Sequence, residues 1–136
     1  MAGVVSKPVF YKEGQYISLV ADNDLPLGTV VRLTATGCDR AGAGHTGFGV
    51  VTGGNRFSRT ATDGQIGAGQ LATVCTRGIV HVYTDTSAIL VGSFVKPANH
   101  GIVALDADPS IDGSLGIAME ANSSAASTIK VKLIRG

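Results

Sequence analysis

The chain contains no tryptophan and few other aromatics, only four prolines, and little charge: aromatic residues account for 5% and charged residues for 15% of 136 positions. Each scarcity removes something. Phe10, Tyr11, Tyr16, Phe48, Phe57, Tyr83 and Phe94 are too few and too scattered to build a platform on which nucleobases stack, so they read as core and contact anchors. Eleven Lys and Arg stand against ten Asp and Glu, a formal charge of +1, which supplies no electrostatic footprint for nucleic acid or an anionic membrane. No apolar run approaches the ~18 residues of a membrane span. The stretch "MAGVVSKPVFYKEG" has no apolar region of signal-peptide length, so synthesis in the cytoplasm is expected. Cys38 and Cys75 form no C-x-x-C pair, which leaves two reduced thiols rather than a zinc site or a disulfide framework. The sequon Asn122-Ser123-Ser124 carries no meaning without secretion.

What the chain does have is small aliphatic residues and glycine. Hydrophobic residues make up 44%, and nineteen glycines imply many tight turns between short strands. A chain of this length buries enough surface to fold as one domain without staples. Segments rich in β-branched residues recur between the turns: 16–20, 28–34, 48–52, 71–83, 93–96, 102–105, 115–120 and 128–134. In "TRGIVHVY", Val80 and Val82 face one way and Ile79, His81 and Tyr83 the other, a period of two that a helix cannot use. No segment sustains a 3.6-residue apolar period. The expected fold is all-β, a small β-barrel or β-sandwich over residues 15–136, with at most one helical turn and an extended N-terminal arm over residues 1–14.

The chain also repeats itself. "GTVVRLTATG" from Gly28 to Gly37 has the spacing of "GSFVKPANHG" from Gly92 to Gly101, "GFGVV" at 47–51 matches "SLGIA" at 114–118, and "TVCTRG" at 73–78 matches "VKLIRG" at 131–136. Two degenerate half-repeats are expected, each too small to close alone.

Reactive motifs fall away on inspection. "AGAGHTGFGVVTGG" spells G-x-G-x-x-G at Gly42, Gly44 and Gly47, but a dinucleotide loop follows a strand and opens a helix, whereas this one runs into a strand. Turn positions and close backbone approaches explain these glycines better. In "DADPSIDG", Asp106, Asp108 and Asp112 resemble a calcium loop, yet Ile111 stands where the sharp turn needs Gly and Ile117 where a bidentate Glu belongs. No two of His45, His81, His100, Cys38 and Cys75 lie at metal-ligand spacing, and no G-x-S-x-G elbow presents a serine. A small hydrolase or ligand-binding barrel therefore has no support. No catalytic residue, metal or cofactor is expected.

Charge is uneven along the chain. Arg32, Arg40, Arg56, Arg59 and Arg77 crowd the stretch from Leu25 to Arg77, while Asp106, Asp108, Asp112 and Glu120 are the only charges between Pro97 and Ile129. A solvated surface accounts for this unevenness; the sharper reading is a head-to-tail subunit contact, with Arg56 and Arg59 on one face and Asp106, Asp108 and Asp112 on the other.

"YKEGQYISLVADNDLPLGTVV", residues 11–31, resembles the opening of the small capsid decoration, or cement, proteins of tailed bacteriophages. Glu13-Gly14, Ile17, Ala21, Asp24-Leu25 and Gly28-Thr29-Val30-Val31 occupy that family's acid-Gly pair, Ile strand, Ala/Asp turn and Gly-x-Val-Val strand. "GFGVV", "IGAGQLATV", "RGIVHVY", "SLGIAMEA" and "TIKVKLI" are similar to its later strands, whereas the loop "GGNRFSRTATDG" is longer than the family's. The resemblance implies a non-enzymatic structural protein of the virion. Such a protein binds the outer surface of the assembled head as a homotrimer and stabilises contacts between major capsid protein subunits. Lys7, Phe10, Tyr11 and Lys12 on the arm are the expected capsid contacts. The alternative is another virion β module, either a tail or baseplate component or an attachment module on the capsid surface.

Overall fold

A computed structural model describes residues 15–54, 65–109, 113–123 and 125–134. It is all-β, apart from one 3-10 turn at Asn99–Gly101. The thirteen strands among the described residues are β1 Gln15–Val20, β2 Leu25–Pro26, β3 Val30–Leu33, β4 Cys38–Arg40, β5 Gly49–Gly54, β6 Gln65–Ile66, β7 Leu71–Tyr83, β8 Ala88–Ile89, β9 Phe94–Ala98, β10 Ile102–Leu105, β11 Gly116–Ala118, β12 Asn122–Ser123 and β13 Thr128–Leu133. The main sheet runs β10-β9-β11-β13-β7-β5-β3-β4, with β1 also paired to β7, and it curls into a half-barrel. All its ladders are antiparallel. Two small ribbons, β2-β6 and β8-β12, flank it.

The half-repeats are real, and their hydrogen bonds match residue for residue. Gly28 N donates to Val51 O at 2.7 Å, as Gly92 N does to Ala118 O at 2.8 Å. Phe48 N to Val31 O corresponds to Leu115 N to Val95 O, each 2.8 Å. Asp22 N to Cys38 O corresponds to Asp85 N to Val103 O, each 2.9 Å, and each follows an isolated parallel bridge, Ala21 to Cys38 and Thr84 to Val103. Both Gly28 and Gly92 hold φ at +89°, the left-handed conformation a side chain rarely adopts. A Cβ on Gly49 would lie 2.5 Å from Cys75 O, and one on Gly116 would lie 2.4 Å from Lys132 O. Both positions need glycine because a neighbouring strand's backbone passes too close. The structure shifts one sequence match by a residue: Val74, not Thr73, is the counterpart of Val131, as these contacts and the pairs Val51–Val74 and Ala118–Val131 show.

The first half is thus β1 to β6 with the front of β7, and the second is the rest of β7 with β8 to β13. Strand β7 serves both. Its first part is a middle strand of the first half, held by β1 and β5, and its last part pairs with β13 in the role that β1 plays earlier. The outward period of two at Ile79, His81 and Tyr83 is present, with Val80 and Val82 buried.

Each half has its own core, and the two cores lie on opposite faces of the first-half sheet. Val31, Val51 and Val74 point into the first-half core with Leu25, Ile66 and Cys38. Their chain neighbours Val30, Val50 and Cys75 point to the other face and join the second-half core of Val80, Val82, Ile89, Val95, Leu115, Ile129 and Val131. The first-half sheet therefore caps the second-half core with its back. Close contacts secure the cap: a Cβ on Gly47 would meet Leu115 Cδ1 at 2.9 Å and Pro97 Cγ at 3.1 Å, and one on Gly101 would meet Thr29 Cγ2 at 2.4 Å.

Candidate interaction surface

The described residues hold no cluster of three or more His, Cys, Asp or Glu side chains that could hold a metal ion. Cys38 and Cys75 are buried in different cores, on opposite faces of one sheet. Burial pushes the Cys38 thiol up to about 11, helped by the negative charges of Asp22 and Asp39. Burial also raises that of Cys75, whose Sγ donates to Arg77 O at 3.2 Å. Protonated, buried thiols of this kind are poor nucleophiles. His45, His81 and His100 are exposed and lie on separate elements: the 41–48 loop, β7 and the 3-10 turn. In the glycine-rich loop, Gly42 N donates to His45 Nδ1 at 2.8 Å and Ala43 N to Asn99 Oδ1 at 3.2 Å, so its amides serve the loop itself before it enters β5.

The acidic loop holds one of its carboxylates inward. Asp106 is 7% exposed: its Oδ2 accepts from Ser114 Oγ at 2.6 Å and its Oδ1 from Asp108 N at 3.2 Å. A buried carboxylate must be hydrogen-bonded, and these two bonds tie the end of β10 to Ser114 before β11. Asp108 is exposed beside it. Lys7, Phe10, Tyr11, Lys12, Arg56, Arg59 and Asp112 lie outside the described residues.

The described residues also present apolar surface that sequence reasoning did not name. A groove of about 340 Å³ runs between β1, the β2–β3 turn, β5 and the end of β7, lined by Tyr16, Leu27, Gly28, Thr52, Ile79 and Tyr83 among others. The Tyr83 ring lies over Gly28, where an added Cβ would stand 3.2 Å from it. At the equivalent β8–β9 turn no described atom lies within 4 Å of a Cβ added at Gly92, and Leu90 and Val91 are 72% and 66% exposed beside exposed Met119. The signal for this patch in the sequence is an apolar pair, Leu90-Val91, directly before a Gly-Ser turn, where polar residues are the norm.

The architecture matches a solved structure, described as the crystal structure of the head fiber gp8.5 N base in bacteriophage phi29, with a TM-score of 0.61. The chain shares the fold of a phage head fiber base. The alignment covers 90% of this chain and 95% of that one at 15% identity, so the two agree over nearly their whole lengths in fold. No family model and no curated protein matches the sequence.

Proposed function

We propose that the chain is a structural, non-enzymatic component of a phage virion. It sits on the outer surface of the head as a homotrimer and strengthens contacts between major capsid protein subunits. The observation that carries this reading is the fold shared with a head fiber base over 90% of the chain. It agrees with the decoration-protein pattern in "YKEGQYISLVADNDLPLGTVV". Buried thiols and scattered histidines fit an inert role. The mechanism is linkage: a protein that binds the assembled shell and not its free subunits stabilises the shell by mass action. Lys7, Phe10, Tyr11 and Lys12 are the candidate capsid contacts, and Arg56 and Arg59 with Asp108 and Asp112 the candidate charges between subunits. The likeness to a head fiber base is also compatible with a second reading, an attachment module on the capsid surface.

Quantitative mass spectrometry of purified particles tests both readings. A copy number commensurate with the major capsid protein is expected for the first, and a much smaller one for the second. Absence from particles rejects both.

A further inference from the structure

The internal repeat supplies its own template for an interface. Within one chain, the back of the first-half sheet caps the second-half core, and the outward face of the end of β7 covers the β2–β3 turn of the first half. Among the described residues, no second sheet caps the first-half core as the first-half sheet caps the second, and the back of the second half covers no core.

The burial pattern records both deficits. By strand register Ile17 and Leu19 hold the places of Val80 and Val82. Val80 is 5% exposed and Val82 fully buried, but Ile17 is 43% exposed and Leu19 only partly buried. Phe48, the counterpart of buried Leu115, is likewise only partly buried. At the other end, Val30 and Val50 are fully buried against the next half, whereas their counterparts Phe94 and Ile117 are only partly buried. The turn that Tyr83 covers in the first half is the bare Leu90-Val91-Gly92 turn in the second. Exposed apolar groups thus lie at the two places where the repeat would continue.

We propose that these surfaces meet in trans. The second half of one copy, through Phe94, Ile117, Val91 and Met119, docks on the open first half of a second copy, through Ile17, Leu19, Val20 and Phe48, repeating the contact that the two halves make within a chain. The interface is heterologous, so it builds a ring if the rotation closes and a filament if it does not. A second copy is the occupant because the only partner shape that the molecule already fits, at the equivalent surface, is its own other half. This contact deepens the homotrimer element of the proposed function and rests on it for biological meaning. The test needs no capsid, so failure in solution and absence from particles are separate results.

Light scattering and sedimentation equilibrium of the full chain are expected to show concentration-dependent self-association. Val91→Asp and Ile17→Lys should each weaken it by more than about tenfold, as placing a charge in an apolar contact does. The decisive arm mixes the two variants. Val91→Asp retains an intact first-half face and Ile17→Lys an intact second-half face, so the mixture should form a one-to-one pair and stop there. Formation of that pair also shows that both variants are folded. A parent that stays monomeric up to hundreds of micromolar overturns the proposal and leaves the open core to another occupant, such as residues 1–14. Mixed variants that do not pair also overturn it, because a symmetric patch-to-patch contact loses both sides at once.

Discussion

The two halves share a backbone and differ in how many of their faces are buried. In the first half, apolar residues come in adjacent pairs, Val30-Val31, Val50-Val51 and Val74-Cys75, one member for each core. In the second half, β13 alternates strictly, with Ile129, Val131 and Leu133 buried and Thr128, Lys130 and Lys132 exposed. A strand covered on both sides needs apolar residues at every position, and one covered on a single side needs them at every other position. The difference therefore states, in sequence, which half lies in the middle of the stack. It also separates two ways of filling the same position. Ile66 closes the first-half core, while its counterpart Asn122 donates from Nδ2 to Ser87 O at 2.7 Å and accepts from Ser127 Oγ at 2.8 Å.

The comparison breaks most severely at the paired glycines. Gly49→Ala and Gly116→Ala each force a methyl group onto a neighbouring strand's carbonyl, and each is expected to cost about 3 kcal/mol in urea denaturation. Losses that differ by more than about half would mean that the two ladders are not equally rigid. Next come the back faces. Val50→Ala should cost about 2 kcal/mol, because a fully buried side chain is truncated. Ile117→Ala should cost about 1 kcal/mol in a non-associating background, although the side chain is larger, because part of it is already in water. The opposite order would show the back of the second half to be covered within the monomer.

Asn122→Ala strips the partners of Ser87 O and Ser127 Oγ and should lower stability by about 1–2 kcal/mol. Introducing Ile at the same position, to copy Ile66, should not recover that loss, since the hydrogen-bonding groups stay unpaired. The smallest effect concerns the thiols. Val103 stands where the first half has Cys38, so Cys38→Val should change stability at neutral pH by less than about 1 kcal/mol. The parent should behave differently in alkali. A thiol whose pKa rises on folding contributes stability that is complete below its unfolded value and is lost as pH climbs between 9.0 and about 11. A melting-temperature profile from pH 8 to 11 should therefore fall less steeply for Cys38→Val than for the parent.

Much of this was legible in the residues. The long strand Leu71–Tyr83 follows from its β-branched run, its outward face from the alternation after Gly78, and the repeat from the spacing of Gly28 and Gly92. Strands β2, β4, β6, β8 and β12 were not legible, because two or three residues carry no period and are held by pairing to distant partners. The repeat was misaligned by one residue at β7 and β13, since both "TVCTRG" and "VKLIRG" end in Arg-Gly while the structural equivalence rests on which valine meets the glycine opposite. Asp106 was read as a surface charge because burial by Ser114 depends on a loop closing in three dimensions. The exposed turn at Leu90-Val91 could have been noticed as apolar residues where a turn prefers polar ones. Its meaning needed the first half for comparison.

Strand β7 crosses from one half to the other without a break, through Gly78 at φ +133°. Chains built of two units usually place a loop at such a junction, and a loop is a joint. Here the joint is a thirteen-residue extended segment laddered to β1, β5 and β13. The halves have no compliant element between them, so a mechanical load applied to one is transmitted along covalent, hydrogen-bonded backbone to the other. The amides of β7 should be the slowest in the molecule to exchange with deuterium, opening only when the whole chain does.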